Sequence, residues 1–334
     1  MTTIDRLKAL CLCVGGAGEE TAVAEVVRDM LAPYGVAQTD NMGNLFLTLG
    51  AGKKHLLLDA HMDQISLVVT AVTDDGFLRI APCGGIDRRT LLGQRVTVKG
   101  QTGVVCSVPP HLQKESSDKA PPFEDMAVDL CLPLDRVLAS VSPGDRLYYV
   151  PSFTPLLHDR IAATSLDNRA GMAAVLGALD RLDMEKLPCK LTLLFSAREE
   201  TGEQGANVSG YTHAPDEAIV VDTSFATAPG IPETKAVPME SGVMIGFAAS
   251  LDRRMSEGLL RICEEEDIPV QKEIMGGTTG TNADVIGTAR GGVPCCTASF
   301  PIRNMHTPVE VVALADIDAT ARLLAHYVMR GGVI

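Results

Sequence analysis

Apolar residues recur three and four apart from Ile4 to Val14 and again from Glu19 to Leu31, the second run stopping near Pro33 and Gly35. That spacing predicts two amphipathic helices. After the turn residues Asn41, Gly43 and Asn44 the period shortens, and LFLTLG and HLLLDA read as strands. The second is apolar enough to sit inside a sheet. From about Ser66 to His158 the runs are brief (LVVTAV, FLRI, RVTVKG, GVVCSV, RLYYV) and are punctuated by Pro109, Pro110, Pro121, Pro122, Pro143 and Gly144, the pattern of a small β-rich module. The HLQKESSDKAPPFED stretch within it reads as a flexible loop.

Beyond residue 158 longer elements alternate. DNRAGMAAVLGALDRL predicts an amphipathic helix, CKLTLLFSA and EAIVVDTS strands, LDRRMSEGLLRICEEE a helix, GGVPCCTASF a strand, and TPVEVVALADIDATARLLAHYVMR one long C-terminal helix. Such alternation implies an α/β sheet layered with helices. The simplest organisation is one α/β domain made of residues 1–65 plus 159–334, interrupted by a β module at 66–158.

At 334 residues and 46% hydrophobic content, the chain has material for a full core without disulfides. Its nine cysteines show no zinc-type CxxC spacing and lie mostly among apolar neighbours, which suits reduced thiols. The net charge of −13 disfavours nucleic acid as a partner. No apolar run approaches the ~20 residues of a membrane-spanning helix, and no signal-peptide pattern opens the chain. A cytoplasmic location is expected.

In α/β sheets functional groups collect where strands end. Polar residues follow apolar runs at His61 and Asp63, Asp167, Glu199 and Glu200, Asp222, and His306. Singly each has an ordinary explanation: a helix cap for Asp167, a turn for Asp222, loop carboxylates for the glutamates. Together they would crowd negative charge into one crevice, which is unfavourable unless cations neutralise it. Mixed imidazole and carboxylate ligation fits zinc, cobalt or manganese.

The segments HMDQIS, SLDNRAG, REETGEQGA, VVDTS and MHTPVE resemble, in that order, the signatures of the dinuclear-metal aminopeptidases of peptidase family M42, which include glutamyl and tetrahedral aminopeptidases. PPH at 109–111 and GGTTGTNAD at 276–284 are similar too, so the likeness spans nearly the whole chain. The resemblance implies an α/β/α sandwich of the zinc-exopeptidase type, with an inserted small β-barrel-like domain for dimerisation and substrate access. It implies two divalent ions per subunit, Zn²⁺ foremost, with Asp167 bridging. His61 and Asp222 would complete one position and Glu200 and His306 the other. Glu199 would be the general base for a metal-bridging water, and the Asp63 carboxylate would accept a proton from the other nitrogen of His61. The bridging residue is associated with a cis peptide after it. Short peptides are the implied substrates, and a homo-oligomer, dimer or dodecamer, the implied assembly.

Four residues depart from that pattern. Gln64 and Ser66 replace Glu and Gly and bear on packing beneath the ions; Asn168 stands where many relatives have a second Asp; Asn304 replaces a frequent aromatic and is expected to reshape the substrate pocket. Arg303 could meet an acidic substrate side chain or make a structural pair. Two rival functions remain open to test. A glycoside hydrolase is suggested by paired carboxylates and by the endoglucanase label some relatives have carried, but the chain has no Trp and 4% aromatics, few platforms for sugars. A non-catalytic assembly protein would have no need of Glu199.

Overall fold

The computed structural model describes residues 1–112 and 119–334, so part of the loop expected at HLQKESSDKAPPFED, residues 113–118, lies outside the described residues. Helices α1 (Thr3–Cys11) and α2 (Thr21–Leu31) lead into β1 (Gln38–Thr39), β2 (Leu45–Leu49) and β3 (His55–His61). Then come β4 (Ser66–Val72), β5 (Leu78–Cys83), β6 (Arg95–Val98), β7 (Gln101–Ser107), β8 (Met126–Asp129), α3 (Leu134–Ser140) and β9 (Arg146–Tyr149). The chain continues through β10 (Phe153–Pro155), β11 (Arg160–Ala163), α4 (Leu166–Leu179), β12 (Lys190–Ser196), α5 (Gln204–His213) and β13 (Glu217–Phe225). It ends with β14 (Val243–Phe247), α6 (Arg253–Glu265), β15 (Val270–Ile274), α7 (Ala283–Ile286), β16 (Cys295–Arg303), β17 (Glu310–Ala313) and α8 (Leu314–Met329).

The large sheet runs β1-β2-β12-β3-β13-β16-β17-β11-β10, with β14 and β15 extending from β16. Its centre, β12, β3, β13 and β16, is parallel. Leu56 and Leu58 of β3 face a core shared with α1, α2, α4, α6 and α8, whereas Leu57 faces a smaller one with residues of α5 and α7. Alternate side chains thus enter opposite layers, giving helices on both faces of the sheet. The fold is an α/β/α sandwich. Strands β4-β5-β8-β7-β6-β9 close a separate barrel around Leu67, Val69, Leu78, Val96, Val105, Val128 and Leu147. Closure leaves that small sheet without a free edge. β10 already pairs with β11 of the large sheet.

Three expectations need correction. The final helix begins only at Leu314, because the β-branched pair in EVVA forms β17, which bridges β11 and β16. Helix α4 is not amphipathic: all of its residues are buried, between the sheet on one side and α1 and α8 on the other. Gly177 permits this closeness, since a Cβ there would lie 3.2 Å from the Ala321 methyl carbon. The barrel strand MAVD and the short strand β15, whose pattern is mostly polar, escape the hydrophobic reading.

Candidate metal centre

The parallel strands deliver the polar residues to one end of the sheet. His61 closes β3, Glu199 and Glu200 follow β12, Asp222 lies late in β13, and His306 follows β16, while Asp167 enters from the start of α4. The Asp167–Asn168 peptide is cis. Ser165, Arg198, Glu203 and His306 all hold positive φ, between 59° and 62°, a clustering of less favourable backbone expected around functional sites.

Asp167 stands at the middle. Its Oδ1 is 3.2 Å from His61 Nε2, and its Oδ2 is 3.4 Å from His306 Nε2. Asp222 Oδ1 lies 3.8 Å from the first imidazole nitrogen and Glu200 Oε1 3.5 Å from the second. Two ligands each about 2.0–2.1 Å from one tetrahedral ion are about 3.3 Å apart, so these spacings match atoms sharing an ion. A trio of His61, Asp167 and Glu200, with ligand atoms mutually within 4.8 Å, spans both halves. The donor set of imidazole nitrogen and carboxylate oxygen therefore fits a pair of borderline divalent cations.

Main-chain partners aim the rings. His61 Nδ1 donates to the Asp63 carbonyl at 3.0 Å, and His306 Nδ1 donates to the Gly85 carbonyl at 2.9 Å. A carbonyl only accepts, so each ring carries a proton on Nδ1 and turns Nε2 to the cluster. The Asp63 carboxylate, 3.5 Å from His61 Nδ1, has closer partners: the Glu199 and Glu200 amides donate to its two oxygens at 2.9 and 3.0 Å. The expected carboxylate contact is thus the longer one. Asp63 chiefly grips the turn that carries both glutamates.

Electrostatics show the crowding. Burial disfavours imidazolium, but Glu199, Asp167, Asp63 and Asp222 outweigh it and raise His61 well above its usual range. Asp167 and Glu200 likewise outweigh burial at His306, which rises to about 10. Burial pushes Glu199, Glu200 and Glu310 up to about 8 and Asp222 well above the carboxylate range. Asp167, despite its burial, is held low by hydrogen bonds to His306 and His61. Excess negative charge is compensated here by protons, the work that cations perform in a loaded site.

The cluster opens into a cavity of 690 Å³, lined by all six of His61, Asp167, Glu199, Glu200, Asp222 and His306. A family model described as M42 glutamyl aminopeptidase matches residues 43–323. The chain belongs to that family. A lysyl aminopeptidase of Pyrococcus furiosus is 29% identical over 315 residues, covering 91% of this chain and 90% of the relative. An aminopeptidase of the archaeon Desulfurococcus kamchatkensis superposes with a TM-score of 0.91 at 29% identity, covering 98% of this chain and 94% of the other. A Pyrococcus horikoshii peptidase, described as assembling into a tetrahedron or a large octahedral shell, gives 0.87 at 28%, with 98% and 99% covered. The chain is accordingly a peptidase, a hydrolase acting on peptides.

Against the M42 pattern, the departures have local explanations. Gln64 accepts from the Gly15 amide at 3.3 Å and from the buried Arg169 guanidinium at 3.5 Å. Asn168 Nδ2 donates to the Val221 carbonyl at 2.8 Å, a bond an ionised Asp could not make. Ser66 is buried with its hydroxyl unpartnered among the described residues. Asn304 is exposed, at φ 59°, and does not line the cavity, contrary to the expected reshaping of the pocket. Arg303 donates to the Thr227 carbonyl at 2.9 Å. The PPH segment enters the short turn Pro110–Leu112.

Sequence reasoning missed three supports. Glu310, quoted within MHTPVE, accepts from the Asp167 amide at 3.0 Å and the His306 amide at 2.8 Å, tying two inferred ligands to one buried carboxylate. Arg169, beside Asp167 in the sequence, bonds the Met62 carbonyl between His61 and Asp63. Asn282 of the GGTTGTNAD stretch donates to Asp59 at 2.7 Å and to Ser196 at 2.8 Å, anchoring a loop that lines the cavity.

Proposed function

We propose that the chain is a metal-dependent aminopeptidase that removes N-terminal residues from short peptides, using two divalent ions per subunit, with Glu199 as general base. One observation carries the reading: Asp167 turns its two carboxylate oxygens towards two separate imidazole–carboxylate pairs. His61 and Asp222 would hold one ion with Asp167, and Glu200 and His306 would hold the other; Zn²⁺, Co²⁺ and Mn²⁺ all suit these donors. When bound, such a pair would lower the pKa of a coordinated water towards ~7 and polarise a peptide carbonyl.

The side chains do the rest. Glu199 Oε2 lies 3.9 Å from His61 Nε2, with its side chain 12% exposed, placed to take the attacking water's proton and return it to the leaving amine. Asp63 positions that turn through the two amides. A free amino terminus finds neighbouring carboxylates at the cavity's end, which favours exopeptidase action. The glycoside alternative draws no support from the cavity wall, where Phe225 is the only Phe, Tyr or Trp among the described residues. Chelator treatment is expected to abolish hydrolysis of aminoacyl anilides, with Zn²⁺ or Co²⁺ restoring it; turnover indifferent to metal would overturn the reading.

The barrel takes part through Gly85. A Cβ at that position would lie 2.7 Å from His306 Nδ1, so Gly85→Ala must move the ring. The expected result is loss of one of two bound ions by elemental analysis, while the β3 half keeps its own. A homo-oligomer acting in the cytoplasm completes the proposal, supported by the assembling relative. No helix among the described residues is long and apolar enough to cross a membrane. Light scattering that shows a monomer at all working concentrations would refute the assembly.

A further inference from the structure

Beyond the metal centre, the cavity has a floor with its own chemistry. Asp222 pairs with Ser299, Ser299 with Met244, and Gly246, two along from Met244, with Glu273. Paired residues share a sheet face, so Glu273 lies on the same face as Asp222. The Glu273 carboxylate is joined by the hydroxyls of Ser224 and Ser299. No cation pairs with it among the described residues: the neighbouring Lys272, which also lines the cavity, holds its Nζ 5.7 Å from the Phe247 ring centroid. Lys235 and Glu233 both stand exposed at the mouth, two residues apart.

The wall beside Glu273 also holds an unused polar atom. Thr297, 1% exposed, pairs with Val220 and so shares the Asp222 face; it lines the cavity, and its Oγ1 has no hydrogen-bond partner among the described residues. A buried unpaired hydroxyl is unfavourable until something meets it. Ser224 lies two residues beyond Asp222, roughly 7 Å along the strand. A lysine stem of four methylenes and its ammonium reaches roughly 6 Å.

We propose that Glu273, with Ser224, Ser299 and Thr297, forms a pocket that selects a basic N-terminal residue, lysine or arginine, whose cationic end pairs with the Glu273 carboxylate. This rests on the aminopeptidase reading, in which the residue's α-amino group sits at the metal centre. The ammonium or guanidinium supplies donors to a carboxylate and hydroxyls that otherwise lack a cation. Acidic residues are repelled, and apolar ones leave the polar wall unpaired.

The test is a kinetic panel of lysyl, arginyl, leucyl and glutamyl anilides with the metal-loaded full chain. Expected are kcat/KM values for lysyl and arginyl substrates at least tenfold above the others. Glu273→Gln lowers the lysyl-to-leucyl ratio at least tenfold, about 1.4 kcal/mol, and Glu273→Lys shifts the preference towards glutamyl. A purely structural Glu273 would depress all substrates alike, so an unchanged ratio overturns the proposal. Wild-type preference for acidic or apolar residues overturns it without any variant and leaves the peptidase reading standing. Hydrolysis of none of the four would sink both.

Discussion

On the proposed mechanism, Glu199→Gln is expected to keep the fold and both proposed ions but to slow turnover by about 10³-fold, or about 4 kcal/mol in the barrier. The amide is nearly isosteric and removes only proton transfer. Its backbone amide, which donates to Asp63 at 2.9 Å, is untouched, so the turn and its neighbour Glu200 stay in place. KM changes little, because a group that acts on the water's proton contributes mainly in the transition state. The measurement pairs steady-state kinetics on an aminoacyl anilide with metal content by elemental analysis. Full activity at full loading would remove Glu199 from the role. Loss of metal along with activity would instead make it a ligand.

The contrast between Glu199 and Asp63 shows what a sequence can and cannot expose. HMDQIS and REETGEQGA each place polar groups after an apolar run, and strand-end placement follows from that pattern alone. Convergence follows as well, since β12, β3, β13 and β16 are parallel and end on the same side. What a carboxylate grips does not follow. Asp63 looks like a partner for the ring two residues away, but its oxygens are taken by amides 136 and 137 residues distant. Glu310 is hidden for the same reason, because its value lies in two main-chain N–H groups that carry no sequence signature. β17 was obscured by its short length and by the helix that follows directly. The β15 strand shows no apolar alternation because the side turned to the cavity carries polar Glu273 while Lys272 and Ile274 on the other side are exposed.

The second large effect concerns pH. In metal-stripped protein, Glu199, Glu200 and Glu310 hold protons up to about pH 8, and His306 up to about 10. Unfolded, the same groups titrate near 4.3 and 6.5. Between about pH 7 and pH 8 the folded state therefore binds more protons than the unfolded one, so stability falls as pH rises, by about 1.4 kcal/mol per pH unit for each extra proton. His55, lowered to about 4, and Asp59 and Asp316, raised to about 6, have finished titrating below this window. Metal loading cancels that fall. Ions need deprotonated ligands, so each proton displaced makes apparent affinity about tenfold tighter per pH unit and adds about 1.4 kcal/mol of stabilisation at fixed free metal. Thermal unfolding with chelator and with Zn²⁺ is expected to diverge on going from pH 7 to pH 8, the stripped protein melting lower as the zinc-dependent gain grows. Parallel curves would mean that the protons and the ions do not compete for the same side chains, and the cluster would then not be the metal site.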